Sequence, residues 1–328
     1  MSDSNPLVSV VVITYNSCKY VRETLESAKM QTYRNIELIV TDDGSTDATV
    51  DICRKWLEAN GDRFVRTELI TAARNTGIPA NCNRGYKACK GEWIKGIAGD
   101  DALLPDCIQD YIDFIQGRPE IGICHSSVEV YRDILDEEHF LYSGIRGKKF
   151  NLPSLSAHEQ YKLLCRSPIS IISPSVFVKT SLIKQVGYFN EDFPFCDDWP
   201  LWLKITHAGY KFFFLNKNTV KYRLSNVSVC HVKSDRYIHK RENDIYEFLY
   251  KTYLEKEAAS VRKWRIWYRL KLYRFLEKHN CNTRNKLHSL LFYVLYFPLS
   301  VCWYYDYIYF NGWRICFSRL KTKILGRK

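Results

Sequence analysis

The sequence predicts an α/β protein with a mostly parallel sheet wound with helices, followed by a separate helical region. Three observations carry this reading: continuous apolar, β-branched runs recur in the first hundred residues, segments of helical period lie between them, and polar turn clusters follow three of the runs. Strands covered on both faces read as unbroken apolar runs. Their alternation with helices implies parallel neighbours joined by crossovers.

Leu7 to Ile13 is the first such run and ends in the turn Thr14-Tyr15-Asn16. Tyr20 to Gln31 reads as a helix, because Val21, Leu25 and Ala28 fall on one face. A second strand, Ile36 to Val40, runs into Asp42-Asp43-Gly44-Ser45-Thr46-Asp47, where Asp47 is suited to cap the next helix. That helix carries the stripe Ile52, Cys53, Trp56, Leu57 and stops near Gly61. A strand near Thr67 to Thr71, a helix around Ile78 to Cys89 and a strand Glu92 to Ala98 continue the pattern. Ligands of such sheets sit beyond the carboxyl ends of the strands, so the loops after Ile13, Val40 and Ala98 are expected to converge on one crevice.

A further helix is expected to start near Leu104, with Pro105 in its first turn. From Ile123 to Asn151 the period gives way to charge, which reads as a strand plus an exposed loop. Ser173 to Val178 reads as a buried strand and Phe212 to Leu224 as strands that close the domain. Beyond Ser234 the texture changes to long helical segments, dividing the chain into residues 1–234 and 235–328.

Charge divides at the same place. Arg236 to Lys328 holds 20 Lys/Arg against 7 Asp/Glu, a net of +13, while the preceding 235 residues carry −1. The twelve cysteines form no C-x-x-C pair, and in a chain of 328 residues they read as reduced, mostly buried thiols. The N-terminus has no basic segment leading into a long apolar run, so an intracellular protein is expected.

Three constellations could carry chemistry. Asp100-Asp101 directly follows a strand; paired carboxylates repel, and Mg²⁺ or Mn²⁺ would remove that penalty with oxygen ligands. The plain alternative is a solvated turn capping the next helix. Thr14-Tyr15-Asn16 with Asp42-Asp43 offers an aromatic face for a base and a carboxylate for its N–H, although Asp43-Gly44 is also an ordinary turn pair. Asp197 and Asp198, beside Trp199 and Trp202, could serve as a general base or simply cap the helix Pro200 to Ala208.

The ordered motifs VSVVVITYN, TDDGSTD, NTGIPANCNRG, GEWIKGIAGDD and CDDWPLWLKITHAGYKF closely resemble the family-2 glycosyltransferases, over roughly residues 7 to 230. The resemblance implies the GT-A fold and inverting transfer of a hexose or N-acetylhexosamine from a nucleotide-diphosphate sugar, usually UDP-linked, as in bacterial polysaccharide or O-antigen synthesis. It implies that Thr14, Tyr15, Asn16, Asp43, Asn75 and Asp100 bind the donor and that Asp101 and Asp100 form the DXD-like pair for Mn²⁺ or Mg²⁺, Asp101 being the direct ligand. It makes Asp198 the catalytic base, with Asp197 as the alternative. The family commonly has Ala-Arg-Asn where this chain has Asn81-Cys82-Asn83, so the arginine contact in that loop is either absent or supplied elsewhere, by Arg84 or Arg74. Ser225 stands where the family often has a histidine, and His231 is the candidate third metal ligand in compensation.

In the C-terminal region Trp264, Trp267, Tyr268, Leu272 and Phe275 form an apolar stripe with Arg262, Arg265 and Arg269 largely on another side. Such a helix is suited to an anionic membrane surface. Leu290 to Phe310 is strongly apolar with Asp306 its one charge, between Lys286 and Arg314; its length could span a bilayer, while Pro298 and the tyrosines favour an interfacial position. The expectation is a peripheral protein at the inner face of the cytoplasmic membrane with a saccharide or lipid-linked saccharide acceptor and no nucleic-acid partner. A helical subdomain with no membrane role, a basic nucleic-acid-binding protein and a sugar nucleotidyltransferase are the competing readings.

Overall fold

The computed structural model describes residues 5–144, 148–166, 171–193, 198–224, 236–238, 240–255, 260–285 and 288–299. The chain forms two compact units, Met1–Val232 and Lys233–Lys328. In the first, β1 (Val8–Thr14), β2 (Ile36–Asp42), β3 (Arg66–Thr71) and β4 (Trp93–Ala98) pair in parallel in the order β3-β2-β1-β4. The helices α1 (Val21–Lys29), α2 (Thr49–Asn60) and α3 (Ile78–Ala88) lie between them in the chain. β2 is buried along its whole length, which explains a run without alternation. Its one charged residue before the strand end, Glu37, accepts from Ser9 Oγ (2.5 Å), Lys90 N (2.6 Å) and Gly91 N (2.9 Å) and pairs with Arg66 (2.7 Å). Burial opposes its charge, but these donors outweigh burial and hold the carboxyl below its ordinary range.

Beyond β4 the sheet becomes mixed. β8 (Val176–Lys179) runs antiparallel to β4 and to the start of β6 (Ile123–Arg132), and β7 (Phe140–Gly144) runs antiparallel to the later part of β6. β9 (Phe212–Leu224) follows β6 in parallel along its length, so β7 and β8 must share the other edge of β6. β5 (Ala102–Leu103) pairs with β9. The exposed loop expected after the strand at Ile123 contains a second strand, β7, whose Phe140, Leu141 and Tyr142 are all exposed and so do not alternate between a buried and a solvent face. The helix expected near Leu104 starts later, as α4 (Cys107–Ile115), because Ala102 and Leu103 are extended against Lys221 and Val220.

The core of this unit joins Val10, Val12, Leu38 and Val40 to Leu25, Trp56, Ile108 and Phe177. Phe177 is sandwiched between Trp93 (4.9 Å) and Tyr111 (4.8 Å). α5 (Ala157–Arg166) packs on α7 (Asp198–His207), and α6 (Thr180–Val186) follows β8. Six of the described cysteines are buried.

The second unit contains α8 (Lys240–Leu249), a π-helical turn at Tyr250–Leu254, α9 (Val261–Lys278) and α10 (288–299). Ile238, Leu272, Leu276, Phe292 and Leu299 form its core. The stripe expected on α9 is split: Leu272 is buried, whereas Trp264, Trp267 and Phe275 are 41%, 41% and 43% exposed. Among the described residues no helix is long and apolar enough to cross a membrane. The stretch Leu290 to Phe310 lies outside the described residues beyond position 299.

Candidate active site

Register brings the strand ends level. Thr14 is opposite Asp42, and Ile13 is opposite Ala98. Gly99 continues β4 against β1, donating its N–H to Ile13 O (2.9 Å); a Cβ here would fall 2.8 Å from Thr14 Cγ2, so the close approach requires glycine. The loops after β1 and β4 therefore meet without an intervening side chain.

Asp42 and Asp43 have different tasks. Asp42 accepts from Thr14 Oγ1 (2.8 Å), Ser45 N (2.8 Å) and Ser45 Oγ (2.5 Å), so its carboxylate ties its own loop to β1. Asp43, 2% exposed, accepts at Oδ2 from Thr76 N (3.0 Å) and Gly77 N (2.8 Å), and at Oδ1 from Thr76 Oγ1 (2.6 Å) and Arg84 Nη2 (2.5 Å). Gly44, with φ +74°, permits this turn: a Cβ would sit 2.6 Å from the Arg74 carbonyl carbon. Tyr15 beside it is 45% exposed. Asn16 links the two loops, donating its N–H to Ser45 Oγ (2.8 Å) and accepting from Thr46 N (2.9 Å). Asn75 is exposed and accepts from Gly77 N (3.1 Å). Thr14, Tyr15, Asn16, Asp43 and Asn75 thus belong to one cluster of loops, with Arg84 as the cation beside the carboxylate.

Asp101 is buried and accepts from Arg223 N (2.8 Å) at Oδ1, whereas Asp100 is partly exposed. Burial raises both carboxyls above their ordinary range, and the neighbouring Asp100 charge adds to the rise at Asp101. This donor set fits a hard divalent cation, which would relieve both effects through oxygen ligands. Among the described residues no cluster of three or more His, Cys, Asp or Glu assembles. Waters and substrate oxygens would have to complete a coordination shell here. His231 and Asp197 lie outside the described residues.

Asp198 opens α7, and Trp199 N donates to its Oδ1 (2.6 Å). Trp199 and Trp202 are each 3% exposed; Trp199 Nε1 donates to Leu164 O (3.2 Å), and Trp202 packs edge-on against Phe212 (5.3 Å). The tryptophans anchor the helix that presents Asp198. Asn83 adds a tether upstream, donating to Phe189 O (3.1 Å) and Glu191 Oε1 (2.6 Å) and accepting from Phe189 N (2.9 Å).

Sequence reasoning missed two contributors. Asn81 donates to Thr14 O (3.0 Å) and Thr41 O (3.2 Å), joining α3 to the ends of β1 and β2. Arg223 grips the Asp100-Asp101 corner. It shares β9 with Lys217 and Lys221, so no local signal singled it out.

The fold has the GT-A architecture of glycosyltransferases such as TarS. Residues 9–170 match the family described as Glycosyl transferase family 2. The match spans 162 of the 328 residues and supports a family-2 glycosyltransferase. An uncharacterized glycosyltransferase of Haemophilus influenzae is 26% identical over 310 residues, covering 90% of this chain and 87% of the relative. Another, from Rickettsia typhi, is 29% identical over 212 residues, covering 64% of this chain and only 61% of the relative's length. Among solved structures, S. aureus TarS 1–349 in complex with UDP-GlcNAc superposes with a TM-score of 0.59 at 20% identity, covering 83% of this chain and 73% of that one. The mannosyltransferase PcManGT from Pyrobaculum calidifontis, in complex with GDP-Man and Mn²⁺, gives 0.53 at 18% identity, covering 79% and 67%.

Proposed function

We propose that the chain transfers a hexose or N-acetylhexosamine, with inversion, from a UDP-linked donor to a saccharide acceptor carried on a lipid, in surface polysaccharide synthesis. The observation that supports this most is the adjacency of the Asp43 loop cluster and the Asp100-Asp101 corner across the Gly99 to Thr14 contact. Tyr15 offers a face on which the base stacks, and Asp43, whose oxygens accept from Thr76, Gly77 and Arg84, accepts its N–H in exchange for one of these donors. The complexes of TarS with UDP-GlcNAc and of PcManGT with GDP-Man and Mn²⁺ are consistent with such a donor.

Asp101 and Asp100 would hold Mn²⁺ or Mg²⁺, which as a Lewis acid stabilises the charge that grows on the departing diphosphate. Asp198 accepts the proton of the acceptor hydroxyl as that oxygen attacks the anomeric carbon from the face opposite the diphosphate. Asp197 is the alternative base. The test is hydrolysis and transfer with a panel of sugar nucleotides in Mn²⁺. Release of the nucleoside diphosphate supports the proposal; release of pyrophosphate from a nucleoside triphosphate and a sugar phosphate points to a nucleotidyltransferase instead.

The proposed location is the inner face of the cytoplasmic membrane. On α10, Leu290, Tyr293, Val294 and Phe297 are 73%, 68%, 63% and 66% exposed at helical spacing, and the region from Arg236 onward carries +13. An apolar helix face beside excess basic charge suits an anionic bilayer, to which each basic group near the surface contributes ~1 kcal/mol. Flotation with phosphatidylglycerol vesicles at low salt tests this; recovery of the chain in the unbound fraction opposes it.

A further inference from the structure

Arg223, next to the last residue of β9, is 3% exposed. Its main-chain N–H donates to Asp101 Oδ1 (2.8 Å) and its Nε to the Asp100 carbonyl (2.7 Å), so one residue holds both members of the pair. The two remaining guanidinium nitrogens donate to the Asp133 carbonyl and to the Glu23 carboxylate. The guanidinium carbon lies 4.2 Å from the centre of the Tyr20 ring. All three guanidinium nitrogens thus donate, to three separate stretches: the β4 to β5 corner, the β6 to β7 loop and α1.

Burying a guanidinium is costly unless it is fully paired. Closing a sheet edge needs no charge, and the paired strand β5 supplies only Ala102 and Leu103 opposite β9. What the cation does accomplish is to stand beside two carboxylates that repel each other while fixing the main chain between them. We infer that Arg223 is a positioning residue that sets the spacing and orientation of Asp100 and Asp101 for the divalent ion and the donor phosphates. This rests on the reading of that pair as the metal site. Lysine keeps the charge but not the planar fork, so it cannot reproduce three divergent hydrogen bonds. Glu23 anchors the outer end of the network and its side chain is 49% exposed, so Glu23→Gln loosens the anchor with little risk to folding.

The experiment is a calorimetric titration of Mn²⁺ into the full chain with UDP present, for wild type, Arg223→Lys and Glu23→Gln, with thermal melts and Mn²⁺-dependent kinetics alongside. Partners that orient metal ligands typically change affinity by 10- to 100-fold, so Arg223→Lys is expected to weaken Mn²⁺ at least about tenfold and Glu23→Gln by a smaller factor. High Mn²⁺ should restore part of the lost rate in both. Wild-type Mn²⁺ affinity in the folded variants, with only the melting temperature lowered, would overturn the inference. If Arg223→Lys does not fold, Glu23→Gln decides between these outcomes. Absence of Mn²⁺ uptake by the wild type would instead overturn the reading of the metal site itself.

Discussion

The Arg84 guanidinium sits 2.5 Å from Asp43 Oδ1 while two main-chain N–H groups occupy Asp43 Oδ2, leaving a nearly buried carboxylate with donors on both oxygens. The cation beside this carboxylate thus comes from α3, one residue after Asn83.

Asp43→Asn turns one accepting oxygen into a donor, so the side chain cannot serve Thr76, Gly77 and a nucleobase N–H together. A hydrogen bond to a charged group contributes about 1.5–3 kcal/mol, so UDP affinity should fall roughly 10- to 100-fold by calorimetry. Arg84→Ala should weaken UDP by a smaller factor, because the main-chain donors to Asp43 remain.

Asp198→Asn should retain donor affinity yet lose turnover by about 10²–10⁴-fold, the usual contribution of a positioned general base. Steady-state kinetics with a binding isotherm on the same preparation separates the two effects. Wild-type turnover would remove Asp198 from the mechanism.

His125 supplies a pH prediction independent of catalysis. Its ring is buried among Phe150, Phe212 and Phe214, with Nε2 2.7 Å from Asn151 Oδ1, and burial pushes its pKa down from 6.5 to about 4. The unfolded chain takes up a proton as pH falls below 6.5 while the folded chain does not, so its contribution to stability is intact above 6.5 and lost progressively down to about 4. The shift corresponds to about 3 kcal/mol at the low end of that window. Melts from pH 7 to 4 should show a shallower decline for His125→Gln than for wild type.

Much of this was legible in the sequence because burial on both faces writes itself as apolar runs: Val8–Thr14 and Ile36–Asp42 lie within one residue of their expected starts. The carboxylates at the ends of β2 and β4 stood out because strand ends in such a sheet are loops facing a crevice. Other features had no local signature. β7 exposes Phe140, Leu141 and Tyr142 alike, so its apolar residues show no alternation between faces. Asp42 and Asp43 look alike in sequence, and only the donors around them, Ser45 and Thr14 against Thr76, Gly77 and Arg84, give them different work. Arg223 meets Glu23 across 200 residues of chain, a distance no periodicity spans.

The most direct test is a titration of UDP into the wild-type chain with Mn²⁺ and again with the metal chelated, repeated for Asp101→Ala. Tighter UDP binding with Mn²⁺, lost in Asp101→Ala, is the predicted result. Equal UDP affinity with and without metal, or no UDP binding, would contradict the account.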